Sequence, residues 1–340
     1  MHAIKAPATV LVTGASGFIA AWICKTLLES GYNVRGTVRS SSKGDYLFNL
    51  FKTFENKFEY VIVKDMEEDG AFDEAVRGVN AVIHTASPCT FEANHPKELI
   101  NPAVNGTLGV LKSIEKHAPQ IRRVIYTSST ATIVDPSKPP GTIYTDDDWN
   151  TYSLEQVEKK GKDAGNDMYR ASKILAEKAA WAECAKQHKW DLVTTHPVVT
   201  LGPFIHEVTT PSQLNTSIGM FYKLISTKEG EISRDQLLAP NANFGDVRDV
   251  ALAHVRALEV PEAGGQRFIT ALEPHTWQDA LDVLSPSYPR GEPGAGKSVT
   301  HIVFDSSKAE RVLGIKFRSF EETVKDTERD LRRRGWLLNN

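Results

Sequence analysis

The 340-residue sequence predicts an α/β protein: a Rossmann-type doubly wound parallel sheet followed by a smaller C-terminal lobe. Three observations predict it. Short β-rich runs alternate with helical stretches through residues 1–200, a glycine-rich turn follows the first run, and after Thr200 the rhythm breaks into loops rich in Pro, Gly and Asn.

Strands are expected at 8–13, 32–38, 58–63, 81–86, 123–128 and 191–200, where apolar and β-branched residues suit a sheet buried on both faces. Helices are expected between them at 18–30, 47–54, 71–77, 96–117 and 167–186. In the first, Ile19, Ile23 and Leu27 share one face and Gly31 stops the helix. Farther on, 244–259 reads as a strand end followed by an amphipathic helix that packs back on the first part of the chain. A charged helix over 321–334 ends in Arg332-Arg333-Arg334, cations that suit the negative pole of a helix C-terminus.

Forty basic residues against forty-three acidic give a formal charge of -3, so no basic field exists to hold a nucleic acid. No apolar run reaches the roughly 20 residues of a membrane span, and the N-terminus enters a strand without a signal-peptide layout, so a cytoplasmic protein is expected. Cys24, Cys89 and Cys184 are odd in number with no CxxC spacing, which suits a reducing compartment. Metal is not expected: the ten histidines include no HExxH, and Asp146-Asp147-Asp148 reads as a solvated turn.

The turn after the first strand is Thr13-Gly14-Ala15-Ser16-Gly17-Phe18-Ile19-Ala20. Gly14 permits a tight turn and Gly17 a close backbone approach. A pyrophosphate is then received by the turn at Ser16 and by the helix start at Phe18 and Ile19. At the end of the second strand, 34–43 contains no acid to bond a ribose 2′-hydroxyl. Arg39 and Lys43 instead offer cations to a 2′-phosphate, which selects NADP(H) over NAD(H). Asp65, with Met66 beside it, falls where an adenine amino group would lie, and Thr85, Ala86 and Ser87 are small residues along the cofactor's path. The expected division is an NADP-binding domain over 1–200, with 244–262 returning to it, and a substrate-binding lobe over 201–243 and 263–340.

Tyr169 and Lys173 stand four apart in a helical stretch, one turn from each other on one face. A neighbouring ammonium lowers a phenol's pKa from about 10, which lets it trade a proton with a substrate oxygen. Thr127-Ser128-Ser129 ends the fifth strand, where a hydroxyl can bond that same oxygen; alternation sends Ser128 and Ser129 to opposite faces.

The glycine turn, the serine after strand five and the YxxxK helix, in that order, resemble the extended short-chain dehydrogenase/reductases. His84-Thr85-Ala86-Ser87-Pro88, Pro102-Ala103-Val104-Asn105-Gly106, Asp246-Val247-Arg248-Asp249 and Ala176-Glu177-Lys178-Ala179-Ala180-Trp181 narrow the resemblance. They are similar to the fungal NADPH-dependent methylglyoxal, aldehyde and ketone reductases, with the dihydroflavonol and cinnamoyl-CoA reductases as more distant relatives. The resemblance implies that Ser129 holds a carbonyl oxygen, that Tyr169 is the general acid, and that Lys173 bonds the nicotinamide ribose. It implies an apolar wall at Pro197 and Val199, and a small-molecule carbonyl substrate. Ala103 stands where many members carry an asparagine in a proton relay, so the resemblance leaves two expectations here: a relay through water, or one that differs in detail.

Cys89, Phe91, Thr130 and Phe204 are expected in the substrate pocket, leading from strand ends into the second lobe. A bulky secondary-metabolite ketone is the alternative substrate. A non-catalytic NADP(H) sensor is the alternative of another kind, disfavoured because Ser129, Tyr169 and Lys173 are all present. The helices over 96–117 and 167–186 are those that would pair in a dimer, so a monomer or homodimer is expected.

Overall fold

Seven parallel strands form the central sheet of the computed structural model, which describes residues 3–87, 93–186, 189–228, 230–240, 242–288 and 290–337. The first part of the chain runs β1 (Thr9–Thr13), α1 (Phe18–Glu29), β2 (Asn33–Val38), α2 (Ser41–Leu50), β3 (Phe58–Ile62) and β4 (Ala81–His84). It continues through α3 (Lys97–His117), β5 (Arg123–Thr127), β6 (Ile143–Tyr144), α4 (Tyr152–Lys160), α5 (Asp167–Cys184) and β7 (Asp191–Pro197). After it come β8 (Val199–Leu201), α6 (Thr216–Ser226), α7 (Arg234–Leu237), β9 (Phe244–Asp246) and α8 (Val247–Glu259). The last elements are β10 (Arg267–Thr270), α9 (Trp277–Leu284), β11 (Val303–Phe304), α10 (Ser307–Leu313) and α11 (Phe320–Arg333).

The sheet order is β3-β2-β1-β4-β5-β7-β10, so the chain reverses direction across the sheet between β1 and β4. That reversal opens a crevice at the carboxyl ends of the strands. Alternation along β1 sends Val10 and Val12 into a core shared with α1 and α8, and Leu11 into the opposite core. Leu11 there meets Val110 of α3 and Ala176 of α5. A further core, with Phe221, Phe244, Leu281 and Val324, lies among α6, β9, α9 and α11. No helix of the described residues is long and apolar enough to cross a membrane.

The structure departs from the sequence expectations at four places. The expected strand 191–200 is broken: β7 ends at Pro197, and β8 turns away to pair with β9. Pro197 lacks the N–H that would continue the ladder. Residues 71–77 form successive turns between Gly70 (φ +73) and Gly78 (φ +74), bounds too close for a stable helical nucleus, although Phe72, Ala75 and Val76 are buried as an apolar face. The second helix begins at Ser41, six residues before the expected start at 47; its first turn is polar, so no apolar period announces it. Residues 267–270, expected in the substrate lobe, supply the edge strand β10, paired with β7.

Candidate active site

A cleft of about 1240 Å³ lies over the β1/β4 crevice and extends past β5 and β7 to α6. The turn from β1 into α1 forms its floor. Gly14 sits in the left-handed region (φ +65), and a Cβ there would press on Ala86 Cα at 3.2 Å, so both conformation and space call for glycine. Gly17 caps α1 with no side-chain partner for the first-turn N–H groups, and Ser16, Gly17, Phe18 and Ile19 line the cleft at the helix's positive pole. A diphosphate fits this cradle by geometry and charge.

Thr13 is the residue that sequence reasoning missed here. Its hydroxyl accepts the N–H groups of Thr85 (3.0 Å) and Ala86 (3.1 Å) and donates to His84 Nδ1 (2.8 Å). Burial, with the nearby Lys173 cation, pushes the His84 pKa down to about 3 and keeps the ring a neutral acceptor. These bonds hold the two lips of the crevice together, and Thr85, Ala86 and Ser87 line it as expected.

Arg39 is exposed at the end of β2 and lines the cleft beside Ser40 and Lys43. The Lys43 ammonium is paired with Glu207, 2.7 Å away, so the two expected cations differ in how readily they meet a phosphate. Asp65 and Met66 also line the cleft, and one Asp65 oxygen accepts the N–H of Glu67 (2.9 Å). Met66 packs over Gly106, where a Cβ would collide with its methyl group.

At the other end, Ser129, Tyr169 and Lys173 share the cleft wall. Lys173 is 4% exposed, and its ammonium donates to the Thr127 carbonyl (3.0 Å) at the tip of β5. Ser128 donates to the buried carboxylate of Glu177 (2.6 Å), whereas the Ser129 hydroxyl accepts the N–H of Ala131 (3.1 Å) from the cleft-lining turn. The two serines have therefore been separated as the pleat requires, Ser128 held inside. Beneath them His254 Nε2 is shared by the hydroxyls of Thr127 and Thr195, each at 2.8 Å, and burial pushes its pKa down to about 4.

Pro197, Val199 and Thr130 line the cleft, Thr130 donating to the Pro197 carbonyl (3.3 Å). Phe204, expected in the pocket, does not line it. It is 1% exposed, stacked on Trp336 at 5.9 Å with the Arg334 guanidinium close to both rings, because the chain after β8 turns into the second core. Cys89 and Phe91 lie outside the described residues. The far wall is instead Asn215, Thr216, Ser217 and the exposed Met220, at the start of α6. Only a long-range fold brings α6 to this wall, and no local pattern announces it. The acidic run also differs from expectation: Asp146 is buried and accepts the N–H of Ile269 (2.6 Å), and burial raises its pKa.

Comparison with known proteins agrees with this geometry. The family model described as "NAD dependent epimerase/dehydratase family" matches residues 10–270. A ketoreductase of Aspergillus niger is 38% identical, the match covering 93% of this chain and 95% of that protein. An NADPH-dependent methylglyoxal reductase of Saccharomyces cerevisiae is 34% identical over 94% of this chain and 96% of its own. The crystal structure of yeast methylglyoxal/isovaleraldehyde reductase complexed with NADPH superposes with a TM-score of 0.85 at 33% identity, covering 97% of this chain and all of that one (100%).

Proposed function

We infer, for a chain that belongs to the NAD dependent epimerase/dehydratase family of extended short-chain dehydrogenase/reductases, an NADPH-dependent carbonyl reductase acting on small aldehydes, ketones or dicarbonyls. The observation that carries it is the joining, in one cleft, of a glycine cradle, an exposed Arg39 in a stretch (34–43) with no acid, and the Ser129–Tyr169–Lys173 wall.

Gly14, Gly17 and the α1 N-terminus hold the diphosphate, Arg39 the 2′-phosphate, and Asp65 and Met66 flank the adenine. NADPH, when bound, supplies the hydride that reduces the carbonyl carbon. Ser129 then bonds the carbonyl oxygen, and the Tyr169 hydroxyl gives it a proton as charge develops there. Lys173, anchored on the Thr127 carbonyl, places a cation beside the phenol and favours its ionised form after the proton has left. Pro197 and Val199 form the apolar wall that keeps water from the reacting face. Residues 1–200 with 244–262 hold the cofactor, and most of the remaining chain shapes the substrate. We place this activity in the cytoplasm, in a monomer or homodimer with a small-molecule substrate as its partner.

The test is NADPH oxidation followed at 340 nm with methylglyoxal, isovaleraldehyde and a dihydroflavonol. Turnover of either small aldehyde is expected; turnover of the dihydroflavonol alone would transfer the chain to the bulky-ketone class.

A further inference from the structure

Beneath the catalytic wall lies a buried charged cluster that the reaction itself does not use. Glu177 is fully buried (0% exposed), on the same α5 face as Tyr169 and Lys173 at successive four-residue steps. One carboxylate oxygen accepts from Ser128 (2.6 Å), the residue before Ser129. The other accepts from Arg267 Nε (2.8 Å) of β10 and from Trp181 Nε1 (3.2 Å). Arg267 also donates to the carbonyls of Asp146 (2.5 Å) and Asp148 (2.7 Å), and to Thr132 Oγ1 (3.3 Å). The Thr132 hydroxyl in turn donates to the carbonyl of Ser129 (3.0 Å), and His196 Nδ1 lies 3.2 Å from that same oxygen.

Burial works against the Glu177 carboxylate, yet the Arg267 guanidinium and the Ser128 hydroxyl stabilise its charged form, and its pKa lies below the usual value. His196, pushed down to about 4 mainly by burial, is uncharged at neutral pH, so Arg267 is the balancing cation. A buried ion pair adds little net stability over apolar residues of the same volume, because desolvation offsets attraction. What this pair supplies is direction. It joins the helix that carries Tyr169 and Lys173 to the turn that carries Ser129.

We propose that Glu177, balanced by Arg267, is a positioning residue for carbonyl reduction: it fixes the Ser129 turn against the Tyr169 face of α5, so that both hydroxyls converge on one substrate oxygen. The proposal rests on the catalytic reading of Ser129 and Tyr169 given above. Displacement of about 1 Å at a reacting group costs on the order of 100-fold in rate, so the effect belongs in kcat and not in cofactor binding.

The experiment combines Glu177→Gln with Ser129→Ala in a double-mutant cycle on the full chain. It measures kcat with methylglyoxal or whichever carbonyl compound is turned over, Kd for NADPH by fluorescence, and thermal melting. The expected result is a kcat loss of roughly 10–100-fold for Glu177→Gln, with NADPH Kd within about twofold. Ser129→Ala should then cost far less in the Glu177→Gln background than in the parent, because the misplaced hydroxyl has already lost its contribution. If Glu177→Gln does not fold, Ser128→Ala takes its place, with a smaller kcat loss and the same loss of coupling to Ser129. Full additivity, or a kcat that falls only with the folded fraction, overturns the proposal. Unchanged activity in Tyr169→Phe would instead overturn the catalytic reading beneath it.

Discussion

On the reading proposed above, the cleft meets the diphosphate with backbone N–H groups and a helix pole, whereas it meets the substrate with side chains delivered by segments far apart in sequence. Gly14, Gly17 and the first turn of α1 act through N–H groups and a helix pole, and they come from one continuous stretch beside β1. Thr130, Val134, Thr200, Asn215 and Met220 act through shape, and they come from the turn after β5, from β8 and from α6. A diphosphate can thus be gripped by a local motif, but a substrate is enclosed only when distant segments meet. On that reading, selectivity for the cofactor is stiff and selectivity for the substrate adjustable.

Acid gives the largest expected effect on this contrast. His84, His196 and His254 lie under the cofactor and catalytic end, with folded pKa values pushed to about 3, 4 and 4 by burial; His206, at about 4, is the one beside the second core. Below the unfolded value of about 6.5 the unfolded chain takes up protons that the folded chain refuses, so stability falls as pH drops from there toward 4. At pH 5 each group costs about 2 kcal/mol, and the three together several. Melting curves between pH 7 and 5 measure it; a melting temperature flat across that range contradicts the buried neutral histidines.

Tyr169→Phe should reduce kcat on the order of 10³-fold, about 4 kcal/mol, while leaving NADPH Kd nearly unchanged. A comparable loss in cofactor binding would blur the line between the two ends. Next comes Arg39→Ala, expected to weaken NADPH by roughly 10–100-fold with NADH unaffected, the magnitude of a lost charge-assisted bond. Equal loss of both cofactors would mean that Arg39 does not read the 2′-phosphate. The smallest effect belongs to Met220→Ala, which removes an exposed thioether from the α6 wall. It should alter KM for branched substrates by a few-fold, about 1 kcal/mol, with NADPH Kd fixed. A shift in NADPH affinity would place Met220 at the wrong end.

The same contrast explains what could be read before the structure. Gly14, Gly17, Arg39, Tyr169 and Lys173 sit in short local patterns whose geometry follows from one strand, one turn and one helix, and all five line the cleft. The sequence alternation also separated Ser128 from Ser129, which the bond from Ser128 to Glu177 now makes concrete. Phe204 falls outside that legible set, because closeness to a strand end in sequence does not fix closeness to the cleft, and the chain there turns inward to Trp336. Thr13, Glu177 and Arg267 went unsingled because a lone buried polar residue has no period; only its partners, 71 to 90 positions away for the bonds from Thr13 to His84 and from Arg267 to Glu177, reveal it.

The edge strand β10 has one more consequence. Residues 267–270 complete the sheet, and α8, at 247–259, covers the face of α1 that begins at residue 18. While the chain is being made, α1 therefore leaves the ribosome long before the helix that shelters its apolar side, and the sheet lacks its last rung until residue 270 has been added. The sheet is thus finished late, after all of α6, α7 and β9 have already been translated. Any guardianship of the newborn chain has to bridge that interval.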